Sequence, residues 1–139
     1  MSPFFGLFEG RRPSRQYAAG GCFAPLRPLP NGVSSQCDPG DTVHYVAPLR
    51  FAGDPSVAWQ RLVQAVDGTR GSRMVEERSG YLCVEFRSRF FGFVDDAEFA
   101  LAPSEGAIHV RSAARLGHSD FGVNRRRIEF IRRSGGFSV

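Results

Sequence analysis

Between Arg111 and Asn124 the chain gathers residue types that can hold an anion or move a proton. Arg111, Ser112 and Arg115 sit on a stretch that reads as a strand. His118, Ser119 and Asp120 follow, at the start of a helix that carries Asn124 and Arg125. A helix N-terminus beside guanidinium groups suits an anion, because unpaired N–H groups and charged forks converge on it. His118 next to Ser119 and Asp120 also suggests hydrolysis. A nucleophile and its base, however, need hydrogen-bond reach and a third group to orient them, which adjacency in sequence does not supply. The plainer role for Ser119 and Asp120 is helix capping, worth about 1 kcal/mol.

Three upstream carboxylates, Asp95, Asp96 and Glu98, complete the candidate ligand-binding set of Asp95, Asp96, Glu98, Arg111, Ser112, Arg115, His118, Ser119, Asp120, Asn124 and Arg125. No catalytic residue is assigned among them. His44, His109 and His118 are scattered, and Cys22, Cys37 and Cys83 lack metal-ligand spacing, so neither a metal nor a cofactor is expected. No glycine-rich loop follows a strand to cradle phosphates.

These residues must be positioned by regular elements, which begin near Asp41. Residues 1–40 hold six of the nine prolines and read as an extended arm ahead of a single domain over 41–139. Within the arm, Phe4, Phe5, Leu7 and Phe8 form an aromatic patch expected to dock back on the domain. Thr42–Phe51 reads as a strand with Pro48 near its end. Asp54-Pro55 then opens a helix over 55–67, whose Ala58, Leu62, Ala65 and Val66 repeat at helical spacing. Strands are predicted near 72–78, 81–91, 93–102 and 107–115, separated by Ser79-Gly80, Phe91-Gly92 and the turn at 103–106. A last helix is predicted over 121–133, capped by Ser119 or Asp120 and turning Val123, Ile128 and Ile131 to the core. The order β-α-β-β-β-β-α implies an α+β fold: an antiparallel sheet of about five strands with two helices packed on one face.

Alternation sets the register. With Phe91-Gly92 as a two-residue loop, Phe90 faces Phe93, Phe86 faces Ala97 and Val84 faces Phe99. The loop at 103–106 aligns Leu101 with Ile108 and Phe99 with Val110. The solvent face is then a ladder of charges, with Arg87 opposite Asp96 and Glu98 between Glu85 and Arg111. Asp95 breaks the pattern, because it falls on the apolar face opposite Ser88. It needs Asn124 or one of Arg125 to Arg127 as partner, a role in function, or a bulge that swings it outward.

All 18 basic residues are arginine. Residues 111–133 carry seven of them against two acids, a net of +5 beside +4 for the whole chain. Nucleic acid or an anionic membrane surface is therefore a possible partner, though no nucleic-acid-binding module is recognisable. No apolar run approaches the roughly 20 residues of a membrane span, and the chain reads as a cytoplasmic protein, with peripheral envelope association as the alternative.

Three motifs carry a resemblance: Pro30-Asn31-Gly32-Val33-Ser34-Ser35-Gln36, the stretch from Phe91 to Phe99, and the stretch from Val110 to Arg127. In order and spacing they are similar to the domain-of-unknown-function family numbered 1499, which occurs in bacteria and photosynthetic eukaryotes. Membership implies no activity. The family's first motif usually reads Pro-Asn-Cys-Val-Ser-Ser, with a Cys-Pro shortly before it. Here Gly32 and Leu26-Arg27 stand in those places, so no chemistry or disulfide resting on that pair carries over. Taken together, the residues point to a polar cleft binding an anionic or polar ligand or a protein partner. Hydrolysis by the Arg111–Asn124 segment is the alternative.

Overall fold

The computed structural model describes Gly10, residues 21–88 and residues 92–139. The aromatic patch at 4–8 and the expected Phe90–Phe93 pairing involve residues outside that set. Among the described residues six strands and two α-helices follow one another as β1 (Gly32–Ser34), β2 (Leu49–Arg50), α1 (Pro55–Asp67), β3 (Ser72–Arg78), β4 (Tyr81–Arg87), β5 (Val94–Ala102), β6 (Ala107–Ala114) and α2 (Val123–Gly135). The fold is α+β. β3, β4, β5 and β6 form an antiparallel meander, and β1 and β2 both pair with the far edge of β6.

α1 begins where Asp54 accepts the Ser56 N–H and Pro55 supplies a preset φ. Its Ala58, Leu62, Ala65 and Val66 join Ile128 and Ile131 of α2 against Leu82, Val84, Phe86, Ala97, Phe99, Ile108 and Val110. Both helices therefore cover one face of the sheet, and that face is the core.

β5 and β6 pair as the alternation requires, Leu101 with Ile108 and Phe99 with Val110. β4 and β5 pair two residues away from expectation: Val84 faces Ala97, Leu82 faces Phe99, and Phe86, not Ser88, faces Asp95. The Ser88 N–H donates to the Phe93 carbonyl at 2.8 Å, so the connection is longer than a two-residue turn. A shift of two preserves every face and changes every partner. Arg87 consequently faces Val94, Glu85 faces Asp96, and Glu98 lies between Cys83 and Arg111.

Three further expectations are corrected. Over Thr42–Phe51 only Leu49–Arg50 is strand, because the Asp41 carboxylate captures the Val43 and His44 N–H groups and winds the chain into a turn. α2 starts at Val123, and Val123 is exposed; Asn124, Ile128, Ile131 and Arg132 form its buried stripe. The charge ladder is not solvated, since Glu85, Asp96, Glu98, Arg111 and Arg115 each keep at most 9% of their surface.

The β3–β4 sheet end depends on Gly71, which has φ +79° and lies where a Cβ would run into the Arg87 carbonyl oxygen. Gly71→Ala should destabilise the protein by about 1–3 kcal/mol through backbone strain and steric conflict, read as a lower urea midpoint at unchanged m-value.

Candidate functional site

The sheet divides the candidate residues between its two faces. Asp96, Glu98, Arg111 and Arg115 lie on the face away from the helices. Asp95, Ser112, Ser119, Asp120 and Asn124 belong to the α2 side.

On the first face, Arg115 binds Asp96 through Nε and Nη2 (2.7 and 2.8 Å) and Glu85 through Nη2 (2.6 Å). Hydrogen bonds donated to Asp96, opposed by burial and reinforced by those to Glu85, hold its guanidinium more firmly protonated than usual. Tyr81 Oη donates to Glu98 at 2.6 Å. Arg111 donates to the carbonyls of Ala24 and Pro25 (2.8 and 3.2 Å), fastening the proline-rich segment over this face, and burial lowers its pKa. These charges are consumed internally, so the face is a buried polar layer.

On the other side the polar groups run in series. Ser112 Oγ donates to Asn124 Oδ1 (2.6 Å), and Arg127 Nη1 donates to the same oxygen (2.9 Å) and to Asp95 (2.9 Å). Asn124 Nδ2 donates to Asp120 (2.9 Å), whose carboxylate also accepts the N–H groups of Gly122 and Asn124. Asp120 thus performs the capping work predicted for it, although the residue at the N-cap position is Gly122. Arg127 also lies over the Phe86 ring, 4.5 Å from its centre. Pairing between Asp95 and Arg127 is one of the arrangements the sequence allowed, and the β5 ladder runs through Asp95 and Asp96 without a bulge.

Asp95, Asp120 and Arg127 open onto a cavity of about 390 Å³ at the end of the sheet. Its mouth is apolar: Phe93, Leu116, Phe121 and Val123 are all exposed there. Phe121 keeps 85% of its surface free and has φ +52°, a left-handed conformation uncommon for an aromatic residue. The two carboxylates differ. Burial raises the pKa of Asp95 and outweighs the Arg127 charge. Burial would raise Asp120 as well, but hydrogen bonds from Asn124 and Gly122 together hold it below its ordinary value.

His118 is exposed, and Ser119 Oγ is occupied as acceptor of the Phe121 N–H at 3.1 Å. No hydrogen bond joins Ser119 to His118 among the described residues. Arg125 holds the carbonyls of Thr42 and Val43, and Arg132 those of Ala47, Pro48 and Ser138. Of the seven arginines between 111 and 133, Arg111, Arg115, Arg127 and Arg132 are thus engaged inside the molecule, which leaves a much smaller basic surface than the sequence count suggests. Sequence reasoning passed over Arg127 as a site residue and missed the aromatic lip. The spacing of Asp120, Asn124 and Arg127 at helical intervals held the signal for the first. Among the described residues no group of three or more His, Cys, Asp and Glu converges as for a metal ion, and no helix is long and apolar enough to cross a membrane.

The arrangement is that of a small α+β domain with an apolar-mouthed, acid-floored pocket between the sheet end and the start of α2. The chain belongs to the family described as Protein of unknown function (DUF1499), which matches residues 23–134. No curated protein and no solved structure matches it. At the positions where the sequence departs from the family motif, a Cβ on Gly32 would stand 3.0 Å from Leu26 Cδ2, so the two altered positions are neighbours in space.

Asp95 carries a stability signature. A carboxyl whose folded pKa lies above its unfolded value of 3.8 binds its proton better in the folded state, so its contribution is fully present below that pH. The contribution is lost as pH rises through the raised value. Asp95→Asn should therefore gain stability relative to the parent chain over that rise, read as a growing difference in urea midpoint between pH 3 and 8.

Proposed function

We propose that the chain is a binding domain for an amphipathic small molecule that carries a hydrogen-bond-donating, cationic head group. The observation that carries this reading is the cavity at Asp95, where an apolar mouth leads to a carboxylate that burial has partly deprived of water. Apolar walls supply affinity, and a few fixed polar groups supply orientation. An apolar group would pack among Phe93, Leu116, Phe121 and Val123 while the head meets Asp95 and Asp120. Two carboxylates against the single guanidinium of Arg127 favour a cationic or neutral head over the anionic one that the arginine-rich sequence suggests. The α2 N-terminus also favours this choice, because Asp120 already occupies its N–H groups.

Burial outweighs the Arg127 pairing at Asp95, so a cation entering from the cavity would relieve a cost that the fold alone leaves in place. The test is a matched pair of probes, benzylamine and benzoate, titrated into isotope-labelled protein by NMR. Benzylamine should shift the amide signals of Ser119 to Val123, and Asp95→Asn should weaken that binding about tenfold or more while the protein stays folded. Stronger binding of benzoate, or no localised shift with either probe, would overturn the proposal.

A further inference from the structure

A second, wider cavity of about 1010 Å³ lies between the segment 21–28 and the β6 end of the sheet. Three of its lining side chains form a chain of hydrogen bonds. Ser35 Oγ is 3.0 Å from His109 Nδ1, and His109 Nε2 is 3.0 Å from Glu105 Oε1.

The surroundings fix the direction of the protons. Ser35 and Val110 pair at the β6 edge: the Ser35 N–H donates to the Val110 carbonyl at 2.9 Å, and the Val110 N–H donates to Ser35 Oγ at 2.9 Å. The Ser35 hydroxyl proton then has two acceptors, the Val110 carbonyl oxygen at 3.4 Å or His109 Nδ1 at 3.0 Å. The shorter contact makes Nδ1 an acceptor and leaves the ring proton on Nε2, where the Glu105 carboxylate accepts it. This is the polarity of nucleophile, base and orienting acid, with the two ring nitrogens exchanged relative to the familiar serine triad. The hydroxyl is held by backbone, the base by a strand, and the acid by the turn four residues before the base. The neighbouring Ser34 differs, since its Oγ accepts the Gln36 N–H at 3.1 Å.

We propose that this relay makes Ser35 an acyl-transfer nucleophile for uncharged carboxylic esters. The apolar part of the ester would lie against Phe23, Pro25, Leu26 and Leu101, which line the same groove. Ser35 Oγ bonds to the ester carbonyl carbon as its proton passes to His109 Nδ1, and Glu105 stabilises the imidazolium. The ester C–O bond breaks, and the departing alkoxide takes the proton from His109. Water then adds to the acyl-serine by the same route, so ester and water leave as carboxylic acid and alcohol.

The site is tested with a fluorophosphonate probe on the full chain, with the adduct located by mass spectrometry. The adduct should form on Ser35, disappear when the protein is unfolded in guanidinium, and persist in Ser34→Ala. His109→Gln should slow labelling by about a hundredfold or more, the usual contribution of a general base. Hydrolysis of p-nitrophenyl butyrate should fall in parallel. An unlabelled Ser35 in the folded parent chain would overturn the proposal without recourse to any variant. So would labelling indifferent to His109→Gln in protein with an unchanged circular dichroism spectrum.

Discussion

Two carboxylates stand directly opposite one another in the middle of this sheet, Glu85 on β4 and Asp96 on β5, and both are buried. Like charges placed so would repel across the strand pair, and burial would add a desolvation cost to each. Arg115, just past the end of β6, resolves the conflict by donating to both. A planar guanidinium can do this because its donors form a fixed fork, which an ammonium group lacks. Arg73 adds a second guanidinium 3.0 Å from Glu85, so two cations meet the two carboxylates, the face away from the helices can be buried under the proline-rich segment, and the sheet gains a second, polar layer.

The same use of arginine recurs wherever the chain is irregular. Arg111 holds Ala24 and Pro25, Arg27 holds the Ala114 and Arg115 carbonyls, Arg125 holds Thr42 and Val43, and Arg132 ties Ala47, Pro48 and Ser138 to α2. These segments have few strand partners for their carbonyls, and side-chain donors take the place of a ladder. A basic composition that would suit phosphate binding thereby serves the fold. Asp95 stands apart from this scheme: its pairing with Arg127 does not fully offset burial, and the group opens onto a cavity.

Periodicity made most of the fold legible. α1 and β3 fall at their expected bounds, and the β5–β6 register follows from alternation alone. The β4–β5 pairing did not, because alternation fixes the face but leaves shifts of two residues undetermined. Only the length of the connection decides between them. The turn at Asp41 was hidden for a similar reason: a side chain competing for backbone N–H groups leaves the hydrophobic pattern of a strand intact. At the site, Asp95 was visible as a carboxylate on an apolar face, and Asn124 as a polar residue on a buried stripe. The aromatic mouth was not, since Phe121 and Val123 look like core residues until the left-handed turn at Phe121 and Gly122 sends them outward.

The most direct test of this account is a thermodynamic cycle on the buried layer, measured by urea unfolding at neutral pH. Arg115→Met removes the guanidinium that Asp96 and Glu85 share, leaves Glu85 its second pair with the exposed Arg73, and should cost about 3–5 kcal/mol. Adding Glu85→Gln and Asp96→Asn to that variant should recover most of the loss, because nothing then needs balancing. A triple variant no more stable than Arg115→Met would contradict the claim that Arg115 exists to neutralise the pair.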